Sequence, residues 1–106
     1  MGRNYLGEFE ELVLLSVAVN SGGAYAAAIT LALKERTGRA VQLSAVHVAL
    51  YRLEEKGLVT SLVGGATPVR GGRRKRLFTI TAAGSGALAE IRALREQFWQ
   101  LIPQSG

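Results

Sequence analysis

One stretch restricts the possible folds more than any other: residues 44–80, SAVHVALYRLEEKGLVTSLVGGATPVRGGRRKRLFTI. Val46, Leu50 and Leu53 recur at i, i+4 and i+7, so its first part reads as a helix with one apolar face. Ser44, His47, Val48, Tyr51 and Glu55 fall on the other face. Gly57 stops that helix, and residues 58–63 (LVTSLV) turn β-branched and strand-like. Glycines then crowd residues 64–72, and residues 73–80 return as a second strand. A helix leading into a hairpin with a glycine-rich basic tip is the winged-helix arrangement.

The position of the charge sharpens this reading. The chain carries a formal net charge of +5. Residues 1–69 are balanced, with six basic and six acidic side chains, and residues 77–106 set Arg92 and Arg95 against Glu90 and Glu96. All the excess sits in Arg70, Arg73, Arg74, Lys75 and Arg76. Charge confined to one hairpin points to a polyanion contact, with a solvated loop as the plainer reading. Glycine at the tip allows a sharp turn and close approach to a sugar-phosphate backbone. Alternation along the returning strand places Arg74 and Arg76 on one side with Phe78 and Ile80, and Lys75 on the other with Leu77 and Thr79. Contacts from these cations set affinity and register more than sequence choice.

Upstream, residues 6–19 (LGEFEELVLLSVAV) form the first expected helix. Glu8, Glu10 and Glu11 occupy its opening turn, where the helix dipole favours carboxylates; that role and solubility are preferred over acid–base chemistry or a metal site. From Leu12 onward the helix is apolar almost all round, which calls for cover from a second chain. Asn20-Ser21-Gly22-Gly23 is a break. A second helix is expected over 24–37, with Tyr25, Ile29, Ala32 and Leu33 on one face and Gly38 as its stop. A short connection with room for a brief strand at 41–43 leads to the third helix, for which Ser44 is the expected N-cap.

Helix, short connection, helix is the helix-turn-helix unit, whose second member enters the major groove. Ser44, Ala45, His47, Val48, Tyr51 and Arg52 are therefore the candidates to reach DNA. Ser44, His47 and Arg52 suit base edges or phosphates, Ala45 and Val48 suit a thymine methyl, and Tyr51 suits a phosphate. Two alternatives stand beside this. His47 can be a surface residue with no special role, and Arg52 can pair with Glu54 or Glu55 on its own helix.

Thr81 is the expected N-cap of a last helix over 82–102, in which Ala87, Ile91, Leu94, Phe98 and Leu101 recur at four-three spacing. That heptad seam pairs helices between chains, so Leu12, Leu15, Ile91, Leu94, Phe98 and Leu101 are the candidate dimer interface. Phe98 and Trp99 are candidates to line a pocket for a flat aromatic effector, with interface core as the alternative.

Catalysis has little to work with. With one histidine, no cysteine and no aspartate, a nucleophilic triad would need His47 and a distant glutamate, a lone histidine does not make a zinc site, and no cofactor is implied. The glycines at 64–72 lack the Gly-Lys-Ser/Thr ending of a P-loop. No apolar run reaches bilayer-spanning length, and MGRNYLGEFEE is no signal peptide, so the expected location is the cytoplasm, with no membrane partner. At 106 residues, 48% hydrophobic and 20% charged, the chain suits one globular unit.

Leu6-Gly7-Glu8 before a leucine-rich helix, Gly23-Ala24-Tyr25, the run from Leu50 to Val59 (LYRLEEKGLV) and the run from Gly71 to Gly84 (GGRRKRLFTITAAG) together resemble the PadR family of transcriptional regulators. The resemblance spans nearly the whole chain. It implies a bacterial homodimeric repressor that dimerises through its first and last helices and often answers to aromatic compounds. His47 stands where family members commonly carry tyrosine, and Ala82 where they often carry proline.

The expected fold is mainly α with a small β hairpin: a winged helix-turn-helix over 1–80 and a C-terminal dimerisation helix over 81–106, forming one structural unit. The expected function is regulation of transcription, as a repressor on a pseudo-palindromic operator in double-stranded DNA, released by a small aromatic effector. The rival is a winged-helix interaction module whose hairpin meets an acidic protein.

Overall fold

A computed structural model describes residues 6–63 and 75–104. In chain order it contains α1 (Glu8–Val19), β1 (Ala24–Tyr25), α2 (Ala26–Thr37), α3 (Leu43–Glu55), β2 (Val59–Val63), β3 (Arg76–Ile80) and α4 (Ala82–Leu101). The strands form one antiparallel sheet in the order β1-β3-β2. The fold is the winged helix expected from the sequence, mainly helical with a small sheet.

Three helices and the sheet close around a core of Val13, Leu14, Val17, Ile29, Leu33, Val46, Leu50, Leu53, Leu58 and Phe78. Phe78, on the middle strand, is completely buried. An aromatic ring so placed contributes about 1.5–3 kcal/mol by burial. On α3 the apolar positions Val46, Leu50 and Leu53 all face inward, with Ala49 beside them.

Two local expectations need correction. The helix expected over 24–37 starts at Ala26, because Ala24 and Tyr25 pair with Phe78 and Leu77 of β3. Gly23, at φ 99°, makes the turn into that strand, and a Cβ there would meet Leu77. Ladder bonds to a middle strand outweigh the helical preference of the alanines that follow. Tyr25 consequently lies exposed on the sheet instead of on the buried face of α2.

The second correction concerns the entry to α3. No strand forms at 41–43; β1 takes that place in the sheet, and Val41 is buried in the core. Gln42, not Ser44, is the N-cap, its carbonyl accepting from the amides of Ala45 and Val46. Ser44 lies inside the first turn with its side chain exposed.

The exits follow local chemistry. Gly38, at φ 68°, closes α2 in the left-handed conformation. Gly57, at φ 77°, closes α3: its amide donates to Glu54 O, and the next amide, Leu58, donates to Leu53 O. That Schellman pair turns the chain straight into β2. Thr81 caps α4, as expected, by accepting from the Gly84 amide at 3.0 Å. It also anchors the helix to the α3–β2 corner, its hydroxyl donating to Gly57 O and its amide to Leu58 O. Gly84 is buried there, where any Cβ would overlap the Leu58 carbonyl oxygen and crowd Ile80. Beyond this anchor α4 leaves the body: Ala87, Leu88 and Ile91 are half-buried, and the later seam residues are exposed.

Candidate nucleic-acid interface

Burial of Val46, Ala49, Leu50 and Leu53 turns the opposite side of α3 outward. Ser44, Ala45, Val48, Tyr51 and Arg52 are all exposed, as the sequence spacing requires. His47 is half-buried and stacks on Tyr51 at 6.0 Å between ring centroids. Tyr51 also meets Phe78 of β3 edge-on at 6.5 Å, which links its ring to the sheet. His47 Nδ1 is buried with no hydrogen-bond partner among the described residues. Arg52 does not pair with Glu54 or Glu55; its guanidinium lies 3.9 Å from Glu10 of α1.

The hairpin of β2 and β3 is tied to α3 through Ser61 of β2. Arg76 is exposed, and its Nη1 donates to Ser61 Oγ at 3.0 Å, whose hydroxyl donates to Glu54 Oε2 at 2.7 Å. Lys75 points the opposite way, as alternation requires, with its ammonium 5.6 Å from the centre of the Tyr25 ring. Arg70, Arg73, Arg74 and the glycines of the tip lie outside the described residues.

The candidate dimer residues lie on α1 and α4. Leu12 is half-buried against its own core, Ile91 is half-buried, and Leu15 is exposed. Exposure climbs along the seam through Leu94 and Phe98 to Leu101, which is 77% exposed. Phe98 and Trp99 are both largely exposed. An open groove of about 500 Å³ lies elsewhere, between the start of α1 (Gly7, Phe9, Glu10) and α3 (Ala45, Val48, Arg52).

Residues 14–90 match the model of the transcriptional regulator PadR-like family. This chain belongs to that family. Its members are transcriptional regulators, not enzymes, and the winged helix is their DNA-binding fold. The fold is shared with a PadR-like transcription factor from Bacteroides fragilis (TM-score 0.75, 22% identity, covering 88% of this chain and 84% of that one). It is shared equally with a PadR family regulator from a hypervirulent Clostridium difficile (TM-score 0.70, 23% identity, 89% and 92% covered). Bacillus subtilis PadR, solved in complex with operator DNA, superposes with a TM-score of 0.66 at 19% identity over 93% of this chain, which spans half of that longer one. Comparison with curated proteins found no match. No helix among the described residues is long and apolar enough to cross a membrane.

Within this PadR-like frame the glutamates of α1 do more than complement a dipole. Glu8 meets Arg39 at 3.0 Å, Glu10 meets Lys56 at 2.8 Å, and Glu11 meets Arg95 at 2.7 Å. Each ties α1 to a different segment: the α2–α3 connection, the end of α3, and α4. The Arg39 guanidinium, hydrogen-bonded to Glu8, holds that carboxyl below its usual range, and Glu8 in turn raises Arg39. No group of acids, histidines or cysteines among the described residues is placed to hold a metal ion. Leu43, which the sequence places in the connection, is exposed beside Ser44 in the first turn of α3, because the helix is capped at Gln42, two residues ahead of the expected cap.

Proposed function

We propose that this PadR-like regulator acts as a homodimer on a pseudo-palindromic operator and represses transcription there. The α3 helices enter successive major grooves with Ser44, Ala45, His47, Val48, Tyr51 and Arg52, and Arg70, Arg73, Arg74, Lys75 and Arg76 grip the flanking phosphates. One observation carries this reading: the Arg76–Ser61–Glu54 link joins the base of the cationic hairpin to α3. Helix and wing thus approach a duplex as one unit.

Residues 1–80 are the DNA-binding part and 81–106 the dimerisation helix. The seam of Leu94, Phe98 and Leu101 lies bare in one chain, and a contiguous apolar stripe of this kind is what a second copy covers. Leu12, Leu15 and Ile91 continue it toward α1. A small planar aromatic compound held by Phe98 and Trp99 between the two copies releases the operator. Fluorescence anisotropy with a duplex from the protein's own promoter region tests the DNA reading. Binding should weaken steeply with salt, and a duplex held as weakly as an acidic control protein would contradict it. Titration of Trp99 fluorescence with planar aromatics tests the effector, and flat curves would remove it.

A further inference from the structure

The exposed face of α3 has an unusual chemistry for a helix that reads base edges. Its centre line runs through Ser44, Val48 and Tyr51, spaced i, i+4 and i+7, and Val48 in the middle is 49% exposed. Ala45 flanks it with another bare methyl. Guanine is most often recognised by a bidentate arginine or lysine, yet α3 carries one cation, Arg52, in its last turn. That guanidinium is drawn toward Glu10 of α1 at 3.9 Å. The N-terminal half of the helix, which sits deepest in a major groove, therefore offers the methyl groups of Ala45 and Val48, the Ser44 hydroxyl and the half-buried His47 imidazole, and no lysine or arginine.

Resting on the DNA-binding reading above, we infer that this protein selects its half-site through thymine C5-methyl groups, with Val48 as the specificity-determining residue and Ala45 beside it. An apolar side chain at the centre of the face cannot satisfy the O6 and N7 acceptors of guanine or the N4 donor of cytosine. Pressed against either, it would leave those groups desolvated and unpaired. Against a thymine methyl it buries apolar surface on both partners. The half-site positions facing Val48 are thus T·A pairs, and their recognition depends on the methyl itself.

The probe is a duplex enriched from a random-sequence library by the wild-type protein, then synthesised with thymidine or with deoxyuridine, which lacks only the methyl. Wild type should bind the deoxyuridine duplex about fourfold more weakly for each buried methyl lost. A Val48→Ser variant should bind the thymidine duplex more weakly and distinguish the two duplexes less than wild type does. The variant separates direct contact from any change in duplex stiffness, which would persist in it. Equal wild-type affinity for the two duplexes, or an undiminished deoxyuridine penalty in Val48→Ser, overturns the inference while leaving DNA binding intact. A protein that retains no duplex from the library overturns both.

Discussion

Arg95 Nη2 lies 2.7 Å from Glu11 Oε1, joining α4 to α1 across 84 residues of sequence. The pair sits near the point where α4 parts from the body, so it holds the direction in which the helix leaves. Arg95 is largely exposed, and screening by water limits the pair to about 0.5 kcal/mol. Arg95→Ala should therefore lower Tm by only a few degrees, measured by thermal unfolding. In a dimer built on α4 it should alter the preferred spacing between half-sites, read with duplexes of stepped spacer length. Unchanged spacing preference would show that α4 is aimed by apolar packing alone.

Gly84 and Gly86 are neighbours on α4 with opposite surroundings. Gly84→Ala should destabilise by about 1–3 kcal/mol, since the new methyl has to displace the Leu58 backbone. At Gly86 nothing lies within 4 Å of a Cβ, so Gly86→Ala should stabilise by about 0.5–1 kcal/mol through helix propensity. Denaturant unfolding of both variants checks the contrast.

Phe98 and Leu94 are exposed on one chain and interface on the dimeric reading. Phe98→Glu with Leu94→Glu should halve the mass seen by sedimentation while the far-ultraviolet helix signal persists. A dimer that survives both changes would place the interface elsewhere.

Glu8 titrates below the ordinary glutamate range because Arg39 binds its charged form. Its contribution to stability is thus present above the unfolded-state pKa and is lost as pH falls through the lower folded value. NMR titration of the Glu8 carboxyl should give a depressed midpoint that returns to normal in Arg39→Ala. The pair is largely exposed, so added salt should weaken it.

Much of this could be read from local pattern. The i, i+4, i+7 spacing on α3, the Gly57 stop and the Thr81 cap each depend on residues a few positions apart, and all three stand as expected. What escaped depends on distant partners. Ala24 and Tyr25 read as helix because the strand they pair with arrives more than fifty residues later. Arg52 has acids beside it on its own helix, yet Glu10 of α1 takes it, and only tertiary packing brings the two together. Gln42 displaced Ser44 as the cap although serine is the stronger capping side chain, because here the backbone carbonyl of Gln42 opens the turn without any side-chain bond.

The central claim is that a cationic hairpin and α3 hold duplex DNA together. Its most direct measurement is the salt dependence of duplex binding, by fluorescence anisotropy, for wild type and for the triple variant Arg73→Ala, Arg74→Ala, Arg76→Ala. The variant should bind every duplex more weakly, with a shallower dependence of log affinity on log salt, each lost phosphate contact taking roughly 0.9 from the slope. Affinity and slope equal to those of wild type would contradict the account.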